Sequence, residues 1–178
     1  MAVKTTGTDW FLETERLLLR RVALDDAGFM LSIWNDPAFI RHVGDRGIRS
    51  IEEAEAALQE GALKLYEEFG YGPYCMSLKE DGTLVGICGL FRRDNLDDPD
   101  IGFGVLPDYC GKGLAGEAAQ AVLMHARDDL GIEYLTAIVS PENSVSIGLI
   151  EKLGLRFERG ITMPGEEDEI SLYGMKLD

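Results

Sequence analysis

Basic residues are scarce in this sequence: 17 lysines and arginines face 32 aspartates and glutamates, a formal charge of −15 at pH 7. That shortage argues against a nucleic-acid partner, because binding to a phosphate backbone draws its affinity from basic patches. The acidic excess fits plain solubility or the steering of cationic partners. Cysteine is scarce too. Cys75, Cys88 and Cys110 show no metal-site spacing and leave any single disulfide one residue short, so a reduced, cytoplasmic setting is expected. His42 and His125 have no companion ligands in the sequence, and no metal is expected. No apolar run approaches the ~18 residues of a membrane span. No signal-peptide pattern precedes Trp10, so no membrane partner is expected. Internal repeats and linkers are missing as well.

What remains is a chain of 178 residues, 46% hydrophobic. Such a length buries about 70% of its unfolded surface in one domain without staples. Residues 1–13 read as a loosely ordered leader and 14–178 as a single domain. Arg16 to Val22 predicts a first strand. Asp25-Asp26 predict the cap of a helix carrying Phe29, Met30, Ile33 and Trp34, which Asn35-Asp36-Pro37 ends. Ser50-Ile-Glu-Glu53 is a capping box whose helix stops at Gly70. Tyr74–Leu78 and Thr83–Leu90 read as strands around an Asp81-Gly82 hairpin turn. Gly86 and Gly89 within the second imply a bend or a close backbone approach. After a polar loop, Ile101–Leu106 is the next strand. A helix then runs from Gly113 to about Leu130, with Ala115, Ala119, Val122, Leu123 and Ala126 at helical spacing. The strand Tyr134–Val139, a short helix from Asn143 to Leu153, and two strands around Pro164-Gly165 complete the order β-α-α-β-β-β-α-β-α-β-β. The fold class is α/β (α+β), with a mixed sheet, hairpins first and one β-α-β crossover.

The crossover opens on Gly111-Lys-Gly-Leu-Ala-Gly116. Backbone N–H groups in such a turn, with the positive end of a helix dipole behind them, form a site for phosphate oxygens. The spacing matches the G-x-G-x-x-G dinucleotide fingerprint, but that fold begins with the turn and places an acid at the end of the next strand. Here the turn lies past mid-chain and the next strand ends at Ser140-Pro141. The wider stretch Asp100-Ile-Gly-Phe-Gly-Val-Leu-Pro-Asp-Tyr-Cys-Gly-Lys-Gly-Leu-Ala-Gly-Glu-Ala118 resembles the acetyl-CoA motif of the GNAT N-acetyltransferases. Pro141-Glu-Asn-Ser-Val-Ser146 with Glu151-Lys-Leu-Gly-Leu155 is similar to that superfamily's next conserved block. Thr14-Glu-Arg-Leu-Leu-Leu-Arg20 and Trp34-Asn-Asp-Pro37 resemble the branch that acetylates ribosomal-protein N-termini.

The resemblance implies the GNAT fold, a mostly antiparallel central sheet with flanking helices. It also implies acetyl-CoA as co-substrate and direct attack of a primary amine in a ternary complex. It places the pyrophosphate on Cys110, Gly111, Lys112, Gly113, Leu114 and Ala115, and the pantetheine arm along Val105 and Leu106. A backbone N–H near Gly104 would polarise the acetyl carbonyl, with an ordinary β-bulge as the competing reading. Asn143 would contact the pantetheine or fix the splay of the strands, and also reads as a helix N-cap. Asp100 matches a position where some members carry a catalytic glutamate, and equally reads as a strand-edge carboxylate. Many members place a tyrosine proton donor where this chain has Ile150, which leaves Ser146 as the nearest hydroxyl, catalytic or structural. The expected acceptor is a peptide N-terminus or a similar amine. A small polycation such as an aminoglycoside or polyamine is the alternative within the class, and a non-catalytic acyl-CoA sensor the alternative outside it. Trp34, Asn35, Phe39, Tyr71, Tyr74 and Met163 are candidates for the acceptor rim or simply core. The Glu166-Glu-Asp-Glu169 run is a docking site for cations or a solvated hairpin tip. A homodimer is compatible with this reading.

Overall fold

The structure, a computed structural model, describes residues 3–6 and 9–178, with side chains from Leu12 onward. The strands β1 (Val3–Thr6), β2 (Asp9–Glu13) and β3 (Leu17–Arg21) precede a helical layer. That layer comprises α1 (Ala27–Trp34), α2 (Pro37–His42), α3 (Ile51–Leu58) and α4 (Lys64–Phe69). Then come β4 (Pro73–Leu78), β5 (Leu84–Phe91), β6 (Asp100–Val105), α5 (Leu114–Asp128) and β7 (Tyr134–Val139). The chain ends with α6 (Ser144–Leu153), β8 (Arg156–Thr162) and β9 (Glu169–Lys176). Among the described residues the strands form one nine-stranded sheet in the order β1-β2-β3-β4-β5-β6-β7-β9-β8. Every pairing is antiparallel except β6–β7, the pair joined by the α5 crossover. The mixed, mostly antiparallel sheet with flanking helices is the expected architecture.

Local chemistry accounts for the helix ends. Ser50 Oγ accepts from the Glu53 N–H at 3.2 Å and the Glu53 carboxylate returns a bond to the Ser50 N–H at 3.1 Å, closing the capping box before α3. A π-turn over Gln59–Leu63 joins α3 to α4. The buried face of α5 presents Leu114, Ala118, Ala119, Val122, Leu123 and Ala126 to the same core as Leu17, Leu19, Met76, Val85, Leu90, Leu135 and Leu155. The largely alanine face lets this helix sit close over β5 and β6. No helix among the described residues is long and apolar enough to cross a membrane.

Three local readings change. Of the residues expected to form a loose leader, Val3–Thr6 and Asp9–Glu13 are strands, and residues 1, 2, 7 and 8 lie outside the described residues. Burial of Leu12 and the pairing of β2 with β3 recruit this segment to the sheet. Pro37 starts a helix instead of only ending one: Asp36 caps α2 by accepting from the N–H groups of Ala38 and Phe39, and proline needs no donor at the first helical position. Asp26 does not cap α1 with its side chain; the carboxylate turns back to Arg20 and the Ala23 N–H.

The close approach expected at the β5 glycines is present. A Cβ on Gly89 would stand 2.3 Å from the Gly72 carbonyl oxygen and 2.4 Å from the Pro73 Cα. Both are backbone atoms and cannot swing aside. Gly89→Ala should therefore cost about 1–3 kcal/mol by overpacking and lower the thermal midpoint by several degrees, readable by scanning calorimetry.

Candidate active site

Beside β6 the sheet comes apart. β6 and β7 meet at a single register pair, Asp100 with Thr136, fixed by the Thr136 N–H and Oγ1 donating to the Pro99 carbonyl at 2.9 and 3.0 Å. Beyond it β6 stays with β5 and β7 stays with β9, so the C-terminal halves of the parallel pair diverge. The direction of the free donors follows from strand alternation. The Leu106 N–H donates to the Val85 carbonyl at 2.8 Å, and Gly86 lies opposite Val105. Even-numbered residues of β6 thus face β5, and the N–H groups of Phe103 and Val105 face the gap. The Gly104 N–H itself is directed at β5, and the N–H groups on either side of it hold the gap-facing positions.

A phosphate-sized nest lies at the end of the same strand. After the turn Pro107–Tyr109 the chain reaches Gly111 at φ +74° and Gly113 at φ +78°, the residue preceding α5. Both angles lie in the left-handed region that only glycine enters cheaply. They keep consecutive N–H groups pointing outward. Among the described residues, the N–H groups of Gly111, Lys112, Gly113, Leu114, Ala115 and Gly116 donate to no protein acceptor. They lie at the N-terminal, positive end of a fifteen-residue helix. Cys110 Sγ lies 3.6 Å from the carbonyl oxygens of Val105 and Leu106, and Lys112 Nζ lies 5.2 Å from the Tyr109 ring centroid.

The nest is bolted from behind by residues the sequence did not connect. Glu117 accepts from the Thr14 hydroxyl, from the Arg16 N–H at 2.8 Å and from Arg16 Nε at 2.7 Å, while Arg16 Nη1 donates to the Lys112 carbonyl at 2.9 Å. Partial burial would raise the Glu117 carboxyl, but these donors hold it below its ordinary value. The Thr14-Glu-Arg16 motif thus fixes both the turn and the first turn of α5.

On the other strand of the gap, β7 runs into α6. Asn143 Oδ1 accepts from the Ser146 N–H at 3.2 Å, which makes Asn143 the N-cap of α6, and no protein partner holds the Ser146 hydroxyl among the described residues. Ile150 is buried, 2% exposed. Asp100 is 1% exposed and accepts from Arg93 Nε at 3.0 Å. Burial pushes its carboxyl above the ordinary value, with Arg93 pulling the other way. Trp34, Tyr71 and Tyr74 are buried, Asn35 donates to the carbonyls of Leu31 and Ile48, and Met163 Sδ accepts from Asn95. The Glu166–Glu169 run is exposed. No group of three His, Cys, Asp or Glu side chains among the described residues could hold a metal ion.

Splayed parallel strands with helix N-termini at both carboxyl ends form the geometry of a cofactor cleft. Residues 16–156 match the family model for the acetyltransferase (GNAT) domain, most of the chain. The chain belongs to the GNAT acetyltransferase family and is an N-acetyltransferase. A relative in Bacillus licheniformis, the uncharacterized N-acetyltransferase p20, is 29% identical over 148 residues, covering 83% of each chain. RimL, the ribosomal L7/L12 alpha-N-protein acetyltransferase solved in complex with coenzyme A, superposes at TM-score 0.80 and 15% identity, with 94% of this chain and 98% of that one covered. The spermidine N-acetyltransferase from Vibrio cholerae, in complex with CoA and spermine, gives 0.76 at 16% identity, covering 90% and 95%. At those identities the two structures speak to the fold alone. GNAT enzymes use acetyl-CoA, and the residues present fit it: outward N–H groups for a pyrophosphate, and a strand edge with free donors for an extended arm.

Proposed function

We propose that this GNAT enzyme acetylates an α-amine, a peptide N-terminus or a similar primary amine, by direct attack in a ternary complex, as in the ribosomal-protein-acetylating branch. The observation that carries the reading is the gap between β6 and β7 running into the N–H nest. When bound, acetyl-CoA supplies an acyl group already activated as a thioester. Gly111, Lys112, Gly113, Leu114 and Ala115 hold its pyrophosphate, with Cys110 at the rim. Val105 and Leu106 line its arm, and the gap-facing N–H groups of Phe103 and Val105 hold the carbonyl beside Gly104. Cys75 and Cys88 are buried and free; burial pushes the Cys75 thiol up to about 12 and the Cys88 thiol higher still, so neither forms a thiolate nucleophile.

The proton-handling groups are modest. Asp100 is tied to Arg93, and Ile150 offers no proton. Such a site suits an amine that is already neutral. At pH 7.4 about a third of α-amines, with a pKa near 7.7, are unprotonated, against about a thousandth of lysine side chains. Positioning and carbonyl polarisation therefore carry most of the catalysis. Asp100→Asn and Ser146→Ala should each lower kcat by less than about 10³-fold, within the range of general acid–base assistance. Steady-state assays on peptide N-termini measure this, and a larger loss from either variant sinks the reading.

A further inference from the structure

We infer that the acceptor face of this enzyme is built for an amine that also carries a carboxylate, held by Arg46 and Arg93. The inference rests on the acetyl-transfer site proposed above and names its substrate class. Asp100, Gly102 and Gly104 share one face of β6. A Cβ on Gly104 would meet Phe39, Ile33 and Ile87 at 3.8–3.9 Å, so α1 and α2 roof that face beside the gap. Trp34, the last residue of α1, is the buried neighbour of Ile33 in the chain. The loop after α2 folds Arg46 back over it, guanidinium carbon 4.4 Å from the ring centroid. Asp45 steadies this loop by pairing with Arg49 at 2.7 Å and accepting from the Gly47 N–H at 2.8 Å.

Arg93 enters from the connection between β5 and β6. Its Nε binds Asp100, and its guanidinium lies 5.6 Å from the Phe91 centroid, with that ring against Gly102. Both arginines border this face: Arg46 lies over Trp34 of α1, and Arg93 is bonded to Asp100 of β6. Asp100 neutralises Arg93 alone. Among the described residues Arg46 has no carboxylate within ion-pair distance, although the chain carries 32 acidic residues. A guanidinium stacked on an aromatic face keeps its edge free, and that planar fork matches a carboxylate. The global charge of −15 attracts cations from a distance, but at this face a polyamine would meet the uncompensated charge of Arg46. The surface field and the site therefore favour opposite ligands, and contact chemistry decides.

The test compares acceptors in matched pairs, glutamate with glutamine and a short peptide amide bearing Asp with its Asn counterpart, alongside spermidine. The carboxylate member of at least one pair should have a kcat/KM about 10- to 100-fold higher, the worth of a charged hydrogen bond. A gain in the amino-acid pair alone identifies a small acceptor; a gain in the peptide pair identifies an acidic N-terminus. Arg46→Met should cut the acid-to-neutral ratio about tenfold, chiefly through KM. Arg46→Lys should restore part of it, and Arg46→Glu should invert it. Arg46 is exposed, so these variants should fold. Preference for spermidine or the neutral members, or a ratio unmoved by Arg46→Met, overturns the inference while leaving acetyl transfer standing. An unfolding midpoint that acetyl-CoA does not move overturns the acetyl-transfer site beneath it.

Discussion

Gly113→Val should raise the KM for acetyl-CoA by roughly 30- to 150-fold. Gly113 sits at φ +78° immediately before α5, and a β-branched side chain in that region is a steric outlier. The backbone then either carries strain of about 1–3 kcal/mol or leaves the left-handed region. Leaving it rotates the adjacent peptide planes and turns N–H groups away from the nest. The loss of those donors removes about 2–3 kcal/mol of phosphate binding, with each 1.4 kcal/mol worth tenfold. Arg16 Nη2 lies 3.4 Å from where the new Cβ would be, so the Glu117 clamp is disturbed as well. Gly116→Ala is the natural comparison. It keeps the N–H, its Cβ would meet nothing nearer than Leu149 at 4.0 Å, and a milder effect follows. Titration of acetyl-CoA in initial-rate assays measures both. Equal KM values for wild type and Gly113→Val would remove the nest from the binding site.

The largest effect on stability is expected from Arg20→Met, about 3–5 kcal/mol at pH 7. Asp26 is 6% exposed, and Arg20 grips both carboxylate oxygens at 2.8 Å while the Ala23 N–H donates at 2.8 Å. Burial on its own would raise the Asp26 carboxyl; Arg20 and the backbone donor overcome it and hold the group below its ordinary value. Removing the arginine leaves a buried carboxylate without its charged partner, the Ala23 N–H still donating to it. The double variant Arg20→Met/Asp26→Asn should regain much of the loss, since the charge goes with its partner. The pH dependence has a definite sign. A depressed folded pKa contributes stability that is present above the unfolded value, about 3.9, and lost as pH falls through the folded value. The deficit of Arg20→Met should therefore be largest near neutrality and shrink below about pH 4. Denaturant unfolding at pH 7 and pH 3.5 measures the difference.

Much of the fold was legible because the local signals were strong. The β-branched run of β7 and the Asn143–Gly154 bracket around α6 give those elements within a residue of their observed bounds. Gly86 and Gly89 announced a close backbone approach, and the structure supplies its cause in the Gly104 and Gly72 carbonyls. Signals that depend on pairing were weaker. Pro37 serves a helix start as well as a stop, and only the direction of the Asp36 side chain separates the two. Residues 9–13 become a strand because β3 is there to pair with them.

Long-range geometry at the site could not be read at all. Thr14 and Glu117 are 103 positions apart, and nothing local in either marks the contact. Which N–H groups of β6 face the gap depends on register, and a one-residue change of parity separates Gly104 from Phe103 and Val105. Nothing local in the sequence marks Arg46 for the place over Trp34 that the fold gives it.

Initial-velocity kinetics test direct transfer through this gap most directly, with acetyl-CoA and an acceptor peptide varied together and the protein's mass measured after exposure to acetyl-CoA alone. Attack in a ternary complex gives intersecting double-reciprocal lines and an unmodified chain. Parallel lines, with an acetyl group recovered on Cys110 or on any other side chain, would contradict it.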